Sequence, residues 1–311
     1  MAEVVAIVLN FRLAAATLRV VEQLAACGHA ATTTLVIENG SGDGSPERLR
    51  AGLAGRERCE LLVFDENLGY CGAINRGLAR ARALGAEMVL LLNNDVVLED
   101  GFLAPLVACL EHDPSLAGVT PTIVTPEGRV WSEGGEVRVR PNLVTLRRQG
   151  RAPTPRDAGP EAVGFLTGAC VLYRLADLAA IGDLDEAYFM YWEDVDLGAR
   201  LRARGRTLLW LPWVRVVHEA SSSSGGGRSP LRKYMSAVNT VRWLRAHGSM
   251  RTWCAFWFFD VALLPLSFFG GTSARAAWAK LRGIRDGLRG HRVTRQDVDR
   301  HLRPSSGVPV P

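Results

Sequence analysis

The six cysteines of this 311-residue chain, at positions 27, 59, 71, 109, 170 and 254, show no Cys-x-x-Cys spacing. That argues against a zinc ribbon or a disulfide framework and suits a reducing compartment. The densest apolar run, Trp253 to Phe269, falls short of the roughly 20 residues a membrane span needs, and Asp260 and Pro265 interrupt it. No glycine-rich turn follows the first apolar segment. Asn10-Phe-Arg-Leu stands where a dinucleotide site would want Gly-x-Gly-x-x-Gly, so a Rossmann cofactor site is not expected. Val4 to Leu9 is too short for a signal-peptide core and has no basic leader, from which a cytoplasmic protein is expected.

What is present describes a globular enzyme-sized chain. Hydrophobic residues make up 48% and charged residues 22%, enough for a substantial core. The charge is unevenly distributed: Arg228 to Pro311 carries +11, and residues 1 to 227 carry −6. A basic tail on an acidic body suggests an anionic surface as partner. Lipid is the better candidate than nucleic acid, because the tail's aromatics cluster in one apolar run and do not interleave with the positive charges.

Along the chain, apolar segments alternate with helical spacing. Val4 to Leu9, Thr34 to Ile37, Cys59 to Phe64 and Met88 to Leu92 read as buried strands, and Ala14 to Ala26 as the first helix. The order implies a largely parallel α/β sheet, whose ligand crevice lies at the carboxyl ends of the strands. Polar clusters follow three of those ends. Glu38-Asn-Gly-Ser-Gly-Asp43-Gly-Ser could accept the imide N–H of a pyrimidine base and the hydroxyls of a ribose. Asn67-Leu-Gly69-Tyr-Cys-Gly72-Ala-Ile-Asn75-Arg76-Gly77 brings glycines to a helix start, where free N–H groups suit an anion. Asn93-Asn94-Asp95 ends the fourth strand in one carboxylate able to hold Mg²⁺ or Mn²⁺, with water and a diphosphate as the other ligands. Each cluster taken alone also fits an ordinary polar loop.

In this order the three clusters resemble the nucleotide-binding blocks of the family 2 glycosyltransferases, most closely the bacterial rhamnosyltransferase-like branch. Downstream, Val163-Gly-Phe-Leu-Thr-Gly168-Ala-Cys-Val-Leu-Tyr-Arg174 resembles the family's strand below the acceptor site, and Ile181 to Leu197, containing Trp192-Glu193-Asp194-Val-Asp196, resembles its catalytic block. The resemblance spans roughly residues 4 to 247. It implies a GT-A fold, Rossmann-like with a mostly parallel central sheet and flanking helices, followed by a C-terminal helical extension. It implies a dTDP- or UDP-sugar donor bound through Asn10, Glu38, Asn39, Asp43, Asn67, Gly69, Asn75, Asn93 and Asn94, with a divalent metal on Asp95 and His218. Asp194 is implied as the base, while Glu193 and Asp196 would support it or charge the first turn of a helix over Asp194 to Arg204. Two positions depart from the family pattern: Glu38 replaces a frequent Asp, and Asn93-Asn-Asp95 replaces paired aspartates.

The expected organisation is a glycosyltransferase domain over 1–227 and a basic helical extension over 228–311. Glu136 to Pro160 reads as a mobile excursion or solvated loop, Ser221 to Gly227 as a flexible closing loop or linker, and 304–311 as disordered. Leu231 to Ala246 reads as a basic amphipathic helix. Trp253 to Phe269, with Arg275, Lys280, Arg282, Arg285 and Arg289, reads as an element in contact with anionic headgroups, against the alternative of a buried helix. The reading that follows is an inverting, metal-dependent transferase that moves rhamnose from dTDP-rhamnose to a cell-envelope glycan or lipid-linked saccharide at the inner face of the plasma membrane. The alternatives are a catalytically silent GT-A binding module, and a nucleotidyltransferase, which the missing phosphate loop disfavours.

Overall fold

The computed structural model describes residues 3–27, 32–219, 229–265 and 273–302. The Ser221–Gly227 and 304–311 segments lie outside the described residues, as does the end of the Trp253–Phe269 run. The chain forms two compact units: Met1–Val137, Thr145–Leu184 and Asp194–Ser221 make the first, and Arg138–Val144, Asp185–Glu193 and Ser222–Pro311 the second.

The first unit is built on strands β1 (Val4–Asn10), β2 (Thr32–Asn39), β3 (Cys59–Phe64) and β4 (Met88–Asn93), all parallel, interleaved with helices α1 (Ala14–Ala26), α2 (Ser45–Leu53) and α3 (Gly69–Ala83). A short β5 (Val96–Leu98) and α4 (Leu103–His112) lead to β6 (Leu116–Val124), β7 (Val130–Ser132) and a separate two-stranded sheet of β8 (Gly135–Val137) and β9 (Val144–Leu146). Then follow β10 (Glu161–Ala162), β11 (Cys170–Arg174), α5 (Leu175–Ala180), α6 (Glu193–Ala203) and β12 (Thr207–His218). The main sheet runs β10-β12-β6-β11-β4-β1-β2-β3, with β11 antiparallel to both of its neighbours.

Alternation decides which helices cover which face. Val4, Ala6 and Val8 of β1 join Leu90 and Leu92 of β4 and residues of α1 and α4 in one core, with Val20 and Leu24 one helical turn apart on α1. On the opposite face Ile7 and Ile37 leave room for α3 only because Gly77 has no Cβ; one built there would sit 2.9 Å from the Ile7 methyl and 2.8 Å from that of Ile37. From β1 the chain moves outward to β2 and β3, then crosses back so that β4 lies on the other side of β1. The connection reverses between β1 and β4, which puts the crevice beside Asn10 and Asn93.

Glu136–Pro160 is an anchored segment, in contrast to the excursion expected from its composition. The fully buried Glu133 accepts hydrogen bonds from Thr154 N–H (2.9 Å) and Oγ1 (2.8 Å) and pairs with Arg148 at 3.4 Å. Arg147 also pairs with Glu161. A buried carboxylate requires such partners, and they came from residues that read as solvated.

The second unit centres on α7 (Pro230–His247), with α8 (Met250–Ala255), α9 (Ala274–Leu288) and α10 (Arg295–Leu302). Ser229 caps α7 by accepting from Arg232 N–H at 3.2 Å. Gly283 and Gly287, one turn apart on α9, let its backbone approach α7; a Cβ on Gly283 would stand 2.4 Å from the Tyr234 carbonyl oxygen. Most of the apolar face of α7 is therefore covered, with Tyr234, Met235, Val238, Val241 and Leu244 all buried. Phe256–Ala262 winds as a π-helix. Its buried Asp260 is paired at 2.7 Å with Lys280, which is turned inward and is not among the outward cations expected of α9. Arg282 packs over the Tyr234 ring, whereas Trp278 is 70% exposed, and Arg275, Leu281, Arg285, Leu288 and Arg289 are exposed on the same helix.

Gly40 is held at φ +66°, and a Cβ there would meet the Glu66 backbone at 2.3 Å, whereas Gly42 at φ +65° faces open space. Gly42→Ala should cost only the left-handed strain, about 1 kcal/mol. Gly40→Ala should cost about 3 kcal/mol in urea unfolding, because overpacking against backbone adds to that strain.

Candidate active site

The ends of β1, β2 and β4 are joined by one chain of polar side chains. Glu38 is fully buried and accepts from Asn10 Nδ2 at 2.5 Å, Ser41 N–H at 2.6 Å and Ser41 Oγ at 2.8 Å. Asn10 Oδ1 accepts in turn from Thr17 Oγ1 at 2.8 Å, and Thr17 Oγ1 accepts from Asn94 Nδ2 at 3.0 Å. Arg12 N–H adds a bond to Ser41 Oγ at 2.9 Å. Glu38, Asn10 and Asn94 thus come together, with Thr17 and Ser41 as links that were not singled out from the sequence. Ser41 lay within the Glu38 block, but nothing local to Thr17 signals its role.

A second cluster shapes the start of α3. Asn39 donates to Asn67 Oδ1 (3.1 Å) and to the Gly69 carbonyl (3.2 Å) and accepts from Leu68 N–H (2.9 Å), while Asn67 accepts from Gly69 N–H (2.8 Å). Two loops from different strands are tied by amides that imitate backbone. Asn75 works the same way one turn further on, donating to the Leu184 carbonyl at 2.9 Å and accepting from Leu184 N–H at 3.1 Å. Asp43 stands apart and exposed; it accepts from Ser45 N–H at 3.1 Å at the start of α2, and the hydrogen bonding from Ser45 holds its carboxyl below the usual range. Asn93 is half-buried at the end of β4.

Asp95 and His218 are brought together by strand pairing. β5 runs antiparallel to the end of β12, with Val96 opposite His218, and Glu219 N–H donates to the Asp95 carbonyl at 2.8 Å. His218 Nε2 approaches Asp95 Oδ1 at 3.1 Å, and both residues are buried. The approach lacks hydrogen-bond alignment, and neither ring nitrogen of His218 has a hydrogen-bond partner among the described residues. Trp131 meets the imidazole edge-on with centroids 4.5 Å apart. A buried imidazole without a partner is costly in an apolar pocket; an oxygen–nitrogen pair of this kind suits a divalent cation that takes its other ligands from water and substrate. Among the described residues no group of three or more His, Cys, Asp or Glu has metal-binding spacing.

Asp194 is the second residue of α6. Its carboxylate accepts from Val195 N–H at 2.8 Å, but burial dominates and pushes the group from 3.8 up to about 6. Gly198 permits α6 to bed closely, since a Cβ there would lie 2.6 Å from the Gly164 carbonyl oxygen in the block before β11. Asp196 is spent on Arg200 at 2.6 Å, and Arg200 also donates to the Ile181 and Asp183 carbonyls at 2.9 and 2.8 Å. The approach to α6 is strained: Phe189, Tyr191 and Trp192 have φ of 61°, 71° and 73°. Bulky residues in that region cost about 1–3 kcal/mol each and concentrate at functional sites.

This sheet, with its polar crevice at the switch point and a carboxylate–imidazole pair on its rim, is that of the GT-A glycosyltransferases. The chain resembles a mannosyltransferase from Pyrobaculum calidifontis solved with GDP-Man and Mn²⁺, at a TM-score of 0.58 and 15% identity over 96% of this chain and 83% of that one. It also resembles GalNAc-T7 solved with UDP, GalNAc and Mn²⁺, at a TM-score of 0.57 and 14% identity over 86% of this chain and 58% of that one.

The chain belongs to glycosyltransferase family 2, whose sequence pattern it matches over residues 2–244. It is 30% identical to the N-acetylglucosaminyl-diphospho-decaprenol L-rhamnosyltransferase of Mycobacterium tuberculosis over 219 residues, 62% of this chain and 68% of that protein. It is 28% identical to the O-antigen biosynthesis protein RfbC of Myxococcus xanthus over 60% of this chain and 15% of that one. The protein is a glycosyltransferase of the hexosyl-transferring class.

Because the native state raises the Asp194 carboxyl from 3.8 to about 6, it favours the protonated form. The stability this group contributes is complete below its unfolded value and is lost as pH rises through its folded one. Asp194→Asn should therefore raise stability by about 3 kcal/mol at pH 8, with the gain vanishing below about pH 4, in urea titrations at several pH values.

Proposed function

We propose that the protein is a metal-dependent, inverting transferase that carries rhamnose from dTDP-rhamnose to a cell-envelope glycan or a lipid-linked saccharide. The observation that carries the metal-dependent reading is the buried Asp95–His218 pair, whose ring nitrogens lack a hydrogen-bond partner among the described residues. A divalent cation, Mg²⁺ or Mn²⁺, would be held by these two residues and would neutralise the diphosphate as it leaves. The choice of rhamnose is supported by the name of the mycobacterial relative, and the choice of acceptor class by that name and by the O-antigen protein.

The remaining roles follow from need. Asp194, ionised above about pH 6, takes the proton of the acceptor hydroxyl as that oxygen bonds to the anomeric carbon from the face opposite the diphosphate. The carbon–oxygen bond to the diphosphate breaks with its electron pair, giving inversion and free nucleoside diphosphate. Asn10, Glu38 and Asn94 form the crevice wall for the nucleoside, although the Glu38 oxygens are already engaged by Asn10 and Ser41. That arrangement supports a role for Glu38 in shaping the loop that meets the base. Asn39, Asn67 and Gly69 set the amide-rich start of α3 toward the donor's anionic part. Asn75, Asn93 and Asp43 complete the donor-side set, with Asn75 and Asp43 acting through the backbone they hold.

Among the described residues no helix is long and apolar enough to cross a membrane. Contact with a cytoplasmic membrane face is supported by the exposed Trp278, Leu281 and Leu288 beside Arg275, Arg285 and Arg289 on α9.

Nucleoside diphosphate release from UDP-, dTDP- and GDP-sugars, with a bacterial membrane lipid extract as acceptor, should occur with dTDP-rhamnose and stop with EDTA. Asp194→Asn should lower turnover by about 10²–10⁴-fold, and His218→Ala should raise the metal concentration needed for half-maximal rate. Tight donor binding without turnover for any acceptor would mark a silent binding module. Sedimentation with phosphatidylglycerol vesicles should be seen at low salt, fall at 0.5 M NaCl as about one Debye length shrinks below 5 Å, and weaken in Trp278→Ala.

A further inference from the structure

We propose that Asn239 is a positioning residue for the transfer reaction, its side-chain amide fixing the turn at Tyr188–Tyr191 from which the chain enters the helix that carries Asp194. The inference rests on the reading of Asp194 as the base.

Asn239 lies at the middle of α7, fully buried between Val238 and Thr240. Its Nδ2 donates to three backbone carbonyls of one turn: Tyr188 at 2.9 Å, Met190 at 3.0 Å and Tyr191 at 2.9 Å. Three acceptors around one nitrogen fix which end of the amide faces the turn. The Oδ1 on the other end is buried without a hydrogen-bond partner among the described residues. A helix that needed only packing would be better served here by an apolar side chain, since a half-satisfied buried amide is a net cost. What the amide provides is a donor for carbonyls that a strained backbone has turned to one side.

Other residues of the same helix hold the side chains of that turn. Arg242, three residues on, lies 3.6 Å from Asp185 and over the Tyr188 ring at 5.8 Å. Trp243, four residues on, packs against Trp192 with centroids 5.8 Å apart. Arg232, seven residues back, lies over the Tyr191 ring at 5.1 Å. Residues at these spacings share one helix face, so α7 grips the segment from Asp185 to Trp192 along its length. Trp192 is followed at once by Glu193, the first residue of α6, and then by Asp194. With φ positive at Phe189, Tyr191 and Trp192, this segment would relax to ordinary backbone if the carbonyls lost their donor. Relaxation there changes the direction in which α6 begins.

The test compares Asn239→Asp, which keeps the shape and removes the amide donors, with Asn239→Ser, which keeps one donor, and with Asp194→Asn. Turnover at saturating donor and acceptor, donor KM, calorimetric donor binding and melting temperature are measured for each. The expected result is a loss in kcat of more than 100-fold for Asn239→Asp and about tenfold for Asn239→Ser, with the donor dissociation constant within twofold of the parent. Two results would overturn the proposal: variants that melt earlier but keep kcat within twofold, or variants neither of which binds donor, since Asn239 would then be needed only for folding. Turnover that survives in Asp194→Asn would remove the base assignment and the proposal with it. Turnover lost there but unchanged in the Asn239 variants would remove the proposal alone.

Discussion

A carboxylate buried at the end of a parallel strand has to be matched by donors, and much of the crevice follows from that requirement at Glu38. An unmatched charge in such a place costs several kcal/mol. Glu38 meets the condition with Asn10 and Ser41. Asn10 then has its carbonyl oxygen free to accept from Thr17, and Thr17 in turn accepts from Asn94, the residue before Asp95. One buried charge thus orders the ends of three strands, and the last link borders Asp95. The Asn at position 94 is part of this chain because an amide donates as well as accepts, which a carboxylate at neutral pH does not.

Asp194, on α6, meets the opposite treatment. Asp194 accepts only from backbone N–H groups, that of Val195 among them, and desolvation outweighs them. Glu38 is satisfied by its donors; Asp194 is under-satisfied, and its carboxyl is pushed up. Its neighbour Asp196, two residues on, is neutralised by Arg200. Three acids of similar composition are thereby set apart by the number of donors each meets.

The strands and helices of the first unit were legible because their signals are local. Ala14–Ala26 and Cys59–Phe64 have the limits that periodicity gave, and β1, β2 and β4 run past the apolar runs because pairing continues through Asn10, Asn39 and Asn93. Asp95 and His218 lie far apart in the chain, and strand register brings them together. What could not be read were contacts made across long separations. Thr17 and Asn239 are buried polar residues on their helices, and their partners Asn94 and Tyr188 are 77 and 51 positions away. The tail misled for the same reason: Lys280 resembles its neighbouring arginines until Asp260, 20 residues earlier, draws it inward.

Asn39 precedes Gly40, and an asparagine followed by glycine is chemically short-lived in an open chain, because the unhindered glycine nitrogen can attack the side-chain amide and release ammonia. Attack requires the amide to swing onto that nitrogen. Here the amide is held at both ends by Asn67, Leu68 and Gly69, and Gly40 is pinned against the Glu66 backbone. The contacts that shape this loop also act as a preservative. Each excursion to an unfolded state exposes Asn39 to ageing, so the working lifetime of the enzyme is set in part by how seldom this loop opens.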